Sequence, residues 1–258
     1  MRVLRRAVVV VVMSTFLIPS LPSSAEAPVN ALRQSIEKAV ATVKPALVQI
    51  FVVESDYREG RESKYQISGS GAVITSDGHV ITNHHVAGHA KRIVCVFDDE
   101  EEISAVLVGK DPLTDIAVIK LEPKTPREFA TVPFGNSDAV RVGDQVLAMG
   151  SPYALSQSVT LGIISNTEMI MPERSRRSGG FQLDGEDVGT LVRWFSHDAA
   201  IYGGNSGGPL VDLEGAIVGI NELSVGGVGG AIPGNLAKAV AEELMAKGKI
   251  ERAWLGLD

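Results

Sequence analysis

Short apolar runs, separated by glycine, aspartate and charged turns, dominate the chain from residue 46 onwards. Runs of this length that are rich in valine and isoleucine indicate β-strands. Six of them lie between Ala46 and Leu121: ALVQIFVV, GSGAVITS, HVITNHHV, RIVCVF, ISAVLVGK and IAVIKL. Six more follow residue 144: QVLAMGS, SVTLGIIS, LVRWFSHD, GPLVDL, AIVGINEL and GGAIP. This pattern predicts an all-β fold of two six-stranded antiparallel β-barrels packed side by side. Residues 172–189, polar and glycine-rich, are predicted to form a mobile surface loop.

Apolar residues follow helical spacing at both ends of this strand pattern. The segment 29–43 carries apolar side chains on one face, and Lys44-Pro45 ends the predicted helix. Near the C-terminus, Asn235 can cap a helix LAKAVAEELMAK, which Gly248 ends. The predicted units are an N-terminal helix with the first barrel (28–122), a linker (123–144), a second barrel with a helix (145–247) and a C-terminal junction (248–258).

The first 27 residues have the composition of a secretory signal peptide. MRVLRR is positively charged, the apolar run AVVVVVMSTFLI is too short to span a bilayer comfortably, and small residues lead to Ala27. Cleavage after Ala27 fits the A-x-A rule, cleavage after Ala25 keeps Pro28 away from the cut, and an uncleaved anchor is a third interpretation. Removal of 1–27 takes away three arginines and one glutamate, which changes the net charge from −7 to −9. We expect an acidic, exported protein without an integral membrane segment.

Composition excludes one class of partner and one source of stability. No basic stripe follows the N-terminus, and a protein that binds nucleic acid needs clustered Lys and Arg to displace counterions, so no nucleic acid is expected. Cys95 is the only cysteine, which rules out an internal disulfide. It lies in the apolar run RIVCVF and is interpreted as a small buried hydrophobe rather than a catalytic thiol.

The segment GGNSGGPL carries the first sign of chemistry. Ser206 has two glycines on each side, with one asparagine between, so its backbone can adopt tight turns that point successive N–H groups at one spot. An oxyanion hole needs that geometry, and a glycine-rich hairpin is the alternative interpretation. The surroundings are strand to strand, unlike the strand–turn–helix setting of a G-x-S-x-G hydrolase elbow.

A nucleophilic serine needs a base that is oriented by a carboxylate. TNHHVAGH, which closes a first-barrel strand, holds three of the five histidines, and Asp115 directly precedes another strand. The candidates therefore run His, Asp, Ser along the chain and predict a site in the crevice between the barrels, where a peptide could lie. His85 and His89 stand four residues apart, as in a metal site. No Glu follows His85 as in H-E-x-x-H, and Gly88 disfavours a helix there, so we expect no metal and no cofactor.

The chain resembles the HtrA/Deg family of exported, trypsin-like serine proteases. The matching stretches are SGSGAVITSDGHVITNHHV, GKDPLTDIAVIKL, DAAIYGGNSGGPLVD and GGAIP…LAKAV, followed by ERAWLGL, and they cover most of residues 45–258 in the family's order. The family's T-N-x-H-V pattern implies His85 as the base. The second aspartate of D-P-x-x-D implies Asp115, and G-N-S-G-G implies Ser206 as the nucleophile.

The resemblance also implies how a substrate would be held. The N–H groups of Gly204 and Ser206 would bind the oxyanion. The floor of the primary pocket would lie six residues before the serine, at Ala200, followed by Ile201. Neither carries a charge for Lys or Arg, so a small aliphatic residue is expected before the scissile bond. His84, on the opposite side of the strand, is expected to be structural.

The family implies a serine endopeptidase that degrades unfolded or misfolded polypeptides in the periplasm or cell envelope, and that assembles as a trimer. Two alternatives use the same fold: a catalytically silent chaperone or sensor that binds unfolded segments, and an esterase-type hydrolase. Secretion beyond the envelope also fits the signal peptide.

Three features depart from the family pattern, and SHDAA in place of the usual QTDAA matters least among them. Tyr202-Gly203 replaces the common Asn-Pro or Asn-Arg before GNSGG, within the loop that shapes the oxyanion hole. The R-x-W-L-G junction, where the family continues into PDZ domains, is followed by two residues only, so the chain is either a protease-only member or a piece of a longer protein. Asp111 is interpreted as a turn former ahead of Pro112, and His79 and His197 as surface or satisfied core histidines.

Overall fold

In the computed structural model the first six predicted strands close into a barrel. The structure describes residues 26–58, 61–151, 157–170, 182–188 and 192–252. The strands are β1 (Leu47–Arg58), β2 (Arg61–Val73), β3 (His79–Asn83), β4 (Arg92–Val96), β5 (Glu102–Asp111) and β6 (Ile116–Glu122). They pair antiparallel in the closed order β1-β2-β3-β6-β5-β4.

The second six strands close into another antiparallel barrel, which confirms the predicted fold class. These strands are β7 (Gln145–Gly150), β8 (Ser158–Met169), β11 (Trp194–His197), β12 (Pro209–Val211), β13 (Ile217–Val225) and β14 (Val228–Pro233), in the order β11-β14-β13-β12-β7-β8. Between β8 and β11, a hairpin of β9 (Gln182–Leu183) and β10 (Glu186–Asp187) rises from the predicted loop 172–189. The rest of that loop lies outside the described residues, apart from Val188.

Helices stand at both ends, as predicted, and a short one lies between β3 and β4. They are α1 (Glu26–Val43), α2 (His84–Ala87) and α3 (Gly234–Lys247). The predicted cap of α3 is wrong: the N-cap is Pro233, and Asn235 instead donates its side-chain amide to Asn136 at 2.9 Å. Gly248 ends α3 as predicted, with φ +73° and its N–H bonded to the Leu244 carbonyl at 2.8 Å. Within the described residues, no helix is long and apolar enough to cross a bilayer.

Apolar side chains that alternate along the strands fill both barrels. The main core cluster continues from the first barrel onto α3, where Ala237, Val240, Ala241 and Leu244 are buried. Cys95 is fully buried in this cluster, and burial raises the pKa of its thiol to about 12. A thiol with so high a pKa is protonated and unreactive at neutral pH, in agreement with its interpretation as a small hydrophobe.

Candidate active site

His85 and Asp115 form a two-point contact at the junction of β3, α2 and β6. The Nδ1 of His85 lies 2.6 Å from Asp115 Oδ2, and its main-chain N–H donates to Oδ1 at 2.9 Å. An ionised carboxylate can only accept, so Nδ1 carries the proton and Nε2 is left with a lone pair. The Asp115 carbonyl accepts from the side-chain amide of Asn83 at 2.9 Å and from the main-chain N–H of His84 at 3.0 Å. These bonds hold Asp115 in a left-handed conformation, with φ +56°, and fully buried.

This contact changes the basicity of His85. Burial disfavours the charged imidazolium, but the charge of Asp115 and the hydrogen bond to it outweigh burial, so the pKa of His85 is raised. A raised pKa makes the imidazole a stronger proton acceptor, which suits a general base.

The loop that carries Ser206 lies against the first barrel beside α2. Gly69 of β2 lies at this contact: a Cβ built on it would be 2.5 Å from Val86 Cγ1 and 3.2 Å from the carbonyl oxygen of Ser206. Val86 follows His85 directly, so the predicted base and nucleophile belong to segments that meet at Gly69. The Ser206 hydroxyl donates to the main-chain carbonyl of Glu222 at 3.0 Å rather than to His85.

Ser70, which the sequence did not single out, connects the barrels at this point. Its N–H donates to the Ser206 carbonyl at 2.9 Å, and its hydroxyl donates to the Gly204 carbonyl at 2.7 Å. The same hydroxyl oxygen accepts from the Ser151 N–H at 2.9 Å. Ser70 is fully buried, so these bonds are shielded from water. The signal in the sequence is its place in SGSG, where the flanking glycines let another backbone come close.

The backbone of the serine loop has the freedom that its glycines predict. Gly204 has φ +104° and Gly207 has φ +83°, which residues with a Cβ rarely adopt. The N–H groups of Gly204 and Ser206 donate no hydrogen bond to any described residue. Within the described part of the chain, neither N–H group is therefore occupied by another protein group.

A buried glutamate, also missed by the sequence analysis, lies beside this pair of segments. Glu222 of β13 accepts a hydrogen bond from the indole N–H of Trp194 through Oε2. Burial first, and then the charge of Asp115, raise the pKa of Glu222 well above its usual range. Burial and the nearby negative charge therefore favour the protonated form of this carboxyl group. The signal was a lone acidic residue inside the apolar run AIVGINEL.

His84 does not occupy the place that the sequence predicted. It lies in the helical turn α2 rather than on the far side of a strand, and its side chain is 1% exposed. Its Nε2 lies 3.2 Å from Oδ2 of Asp184, in the β9–β10 turn, and His89 Nε2 lies 2.6 Å from Asp184 Oδ1. One ligand atom from each of these three residues lies within 4.8 Å of the others, so together they could hold a metal ion.

The residues expected to shape the substrate pocket precede the serine loop. Ala200 is exposed, and its carbonyl accepts from the Thr160 hydroxyl at 2.9 Å. Ile201 is half-buried and packs against the core cluster of the second barrel. Tyr202 is 51% exposed, and its carbonyl accepts from the Asn205 N–H at 3.0 Å.

The structure also places three residues that the sequence analysis left outside the catalytic site: Asp111, His79 and His197. Asp111 does more than form a turn: its buried carboxylate binds Arg252 and the Thr114 hydroxyl. His79 is half-buried and lies within hydrogen-bonding distance of Thr75. His197 is fully buried in the second barrel.

Comparison with known proteins places this arrangement in a family. The trypsin-like peptidase domain family matches residues 69–220. Two proteins named "Probable periplasmic serine endoprotease DegP-like" are 40% identical to the chain: that of Pseudomonas fulva over 204 residues, 77% of this chain, and that of Brucella suis over 217 residues, 79% of it. The chain spans 39% of the length of each of these relatives.

Solved structures give the same result. "HtrA-type protease AlgW with decapeptide" is 31% identical, covers 86% of this chain and 71% of its own, and has a TM-score of 0.71. "HtrA-type protease AlgW with tripeptide" is 34% identical, covers 86% and 67%, and has the same TM-score of 0.71. The residues that the family model matches, 69–220, include His85, Asp115 and Ser206, which the sequence nominated for catalysis. The chain therefore belongs to the trypsin-like peptidase family, in its HtrA/Deg branch.

Proposed function

We propose that this protein is a serine endopeptidase that cleaves unfolded or misfolded polypeptides, with Ser206 as nucleophile, His85 as base and Asp115 as its orienting carboxylate. The observation that carries the proposal is the two-point contact between His85 and Asp115, which leaves Nε2 of His85 as a proton acceptor. The serine loop is bonded to the neighbouring strand through Ser70, so the three groups lie on segments that meet.

The first chemical step follows from these positions. The Ser206 hydroxyl leaves the Glu222 carbonyl by rotation about its Cα–Cβ bond and then donates to Nε2 of His85. Its oxygen attacks the carbonyl carbon of the scissile peptide while His85 takes the proton. The carbonyl oxygen becomes an oxyanion, which the N–H groups of Gly204 and Ser206 stabilise.

The remaining steps return the enzyme to its starting state. The imidazolium of His85 gives its proton to the leaving amine, the C–N bond breaks, and an ester remains on Ser206. Water, deprotonated by His85, then hydrolyses the ester and releases the carboxylic acid. Asp115 stays ionised throughout and stabilises the imidazolium.

The substrate class rests on the crevice and on the residues before the serine. An extended peptide can pair with a strand edge at the junction of the barrels, and such pairing does not depend on sequence. Ala200 and Ile201 offer no charge for a Lys or Arg side chain, so we propose cleavage after small aliphatic residues. The AlgW structures contain a decapeptide and a tripeptide, which supports a peptide as the ligand class.

The place of action is proposed to be the periplasm. The N-terminal segment has the pattern of an export signal, and the relatives are named periplasmic. A trimer is proposed from the family resemblance alone.

A second function is favoured by one observation. In this structure the Ser206 hydroxyl is bonded to Glu222 and not to His85, as expected of a protein that binds unfolded segments without cleaving them. The two functions differ in whether a substrate releases that hydroxyl.

Labelling with a fluorophosphonate separates them. The probe reacts only with an activated serine, and peptide mapping locates the adduct. A single adduct on Ser206, absent in Ser206→Ala, is the expected result, with or without unfolded casein present. No adduct in either condition would overturn the endopeptidase proposal and leave the binding function. Comparing hydrolysis of casein with that of a simple ester tests the esterase alternative.

A further inference from the structure

His84, His89 and Asp184 form a cluster outside the proposed triad. His84 is the first residue of α2, His89 follows that helix by two residues, and Asp184 lies in the β9–β10 turn, 95 residues after His89. Asp184 has φ +53°, and Gly185 beside it has φ +84°. This tight turn brings a carboxylate from the loop before β11 onto the first barrel.

His84 is the buried member of this cluster. It is 1% exposed, and neither ring nitrogen has a hydrogen-bond partner among the described residues. Its Nε2 is 3.2 Å from Asp184 Oδ2, but the two are not aligned as a hydrogen bond. A buried imidazole without a partner costs free energy, and native structures seldom leave one so. Nε2 is the ring nitrogen that faces Asp184.

We propose that His84, His89 and Asp184 form a binding site for a divalent transition metal, with Zn²⁺ as the best match. Two imidazoles and one carboxylate are the ligands that Zn²⁺ prefers, and three protein ligands leave a fourth position for water. Zinc bonds of about 2.1 Å in a tetrahedron place neighbouring ligand atoms roughly 3.4 Å apart. One ligand atom from each of the three residues lies within 4.8 Å of the others, so modest side-chain rotations would bring them to that spacing. Each imidazole faces its own carboxylate oxygen: His84 Nε2 lies 3.2 Å from Asp184 Oδ2, and His89 Nε2 lies 2.6 Å from Oδ1.

The electrostatics of the cluster agree with this assignment. Burial lowers the pKa of His84, and the charges of Asp115 and Asp184 offset only part of that effect. A neutral imidazole with a free lone pair is the form that binds metal. The opposing feature is Lys110, whose Nζ lies 3.1 Å from Asp184 Oδ2 and competes for the same carboxylate.

The sequence could not show this site. The sequence paired His85 with His89, four residues apart, and offered no zinc motif. The fold instead turns His84 towards His89, with their rings 5.3 Å apart at the centroids, and supplies the third ligand from a distant loop. A bound ion would cross-link that loop to the residue directly before His85 and so restrain the proposed base.

Zinc binding is measured on the full chain that carries Ser206→Ala, without a histidine tag and after dialysis against a chelator. This background excludes cleavage, so the result does not depend on the proposed function. Titration calorimetry with ZnCl₂ is expected to show one ion per chain, and Co²⁺ is expected to give the visible absorption of a tetrahedral site. Binding should also raise the melting temperature.

Variants then locate the ion. His89→Ala and Asp184→Asn remove exposed ligands, so their folding is not at risk, and each should weaken Zn²⁺ binding more than about 10-fold, since even an outer-shell partner is worth that much. His79→Ala is the matched control, because His79 is paired with an aspartate elsewhere on the barrel, and it should bind as the parent does. Lys110→Met should tighten binding, because it frees Asp184.

Two results would overturn the site. One is no Zn²⁺ binding by the parent chain. The other is binding that His89→Ala and Asp184→Asn leave unchanged, which would place the ion elsewhere.

Discussion

Arg252 binds Asp111 through two parallel hydrogen bonds, at 2.7 Å to Oδ1 and 2.5 Å to Oδ2. Asp111 ends β5 and is 2% exposed, whereas Arg252 follows α3 and is 36% exposed. The pair ties the segment after the last helix to the turn that leads to Asp115. The Asp111 carboxylate thus binds both the Thr114 hydroxyl in the turn that follows it and the guanidinium of Arg252.

Removing Arg252 should therefore destabilise the first barrel. Arg252→Ala leaves Asp111 buried and unpaired, which costs about 2–4 kcal/mol of unfolding free energy after allowance for the partial exposure of Arg252. Arg252→Lys should recover only part, because an ammonium cannot form the two-pronged contact. Urea denaturation at pH 7 measures both. Lys249→Ala, at an exposed lysine nearby, is the control and should change little; an equally small change in Arg252→Ala would contradict the prediction.

Ser206→Ala should abolish proteolysis. Loss of the nucleophile in related hydrolytic sites lowers turnover by about 10⁶-fold, and the remaining groups do not replace it. Cleavage of unfolded casein, followed by release of soluble peptides, measures the loss. Ser224→Ala changes an exposed serine of β13 and should be fully active. A Ser206→Ala protein that keeps more than a tenth of the activity would remove Ser206 from the proposed role.

The strand pattern predicted both barrels because apolar runs bounded by turns describe short-range order. The same reasoning read TNHHV as one strand, but the chain leaves the sheet at Asn83. The strand ends there because the Asp115 carbonyl accepts hydrogen bonds from Asn83 and His84. A partner 31 or more residues away is invisible in a local pattern.

The parts of the site that the sequence missed share this cause. Ser70 gains its importance from a loop 134 residues later, and Glu222 meets Trp194 across a separation of 28 residues. Asp184 reaches α2 from a stretch interpreted only as a loop. Motif resemblance nominated the residues proposed for catalysis, whereas the residues that contact and position them are defined by packing between distant segments.

Ser70→Ala should lower kcat strongly and the free energy of unfolding only moderately. The lost hydroxyl leaves the Gly204 carbonyl and the Ser151 N–H without a buried partner, which costs about 1–3 kcal/mol of stability. It also loosens the loop that holds the proposed oxyanion donors, and removing one such donor outright costs about 10²–10³-fold in kcat. We expect kcat to fall by a factor that approaches this range, with KM little changed. Ser68→Ala, two residues earlier on the same strand, is the control; if both variants behaved alike, Ser70 would have no special role.

Glu222→Gln should stabilise the protein at alkaline pH and leave it unchanged in acid. The pKa of Glu222 is raised by burial and by the charge of Asp115, so at intermediate pH the folded state holds a proton that the unfolded state has lost. Stability from this group is therefore complete below the unfolded pKa of about 4.3 and falls as pH rises towards the folded pKa, by up to about 1.4 kcal/mol per pH unit. Glutamine keeps an oxygen for the Trp194 N–H and does not titrate. The free energy of unfolding of the variant should therefore not show this decrease with rising pH. Urea denaturation measures the free energy of unfolding at pH 5 and pH 8. The difference between Glu222→Gln and the parent should shift in favour of the variant from pH 5 to pH 8, whereas for Glu242→Gln, at an exposed site, it should stay constant. Parallel curves for Glu222→Gln and the parent would mean that Glu222 is already ionised in the folded state.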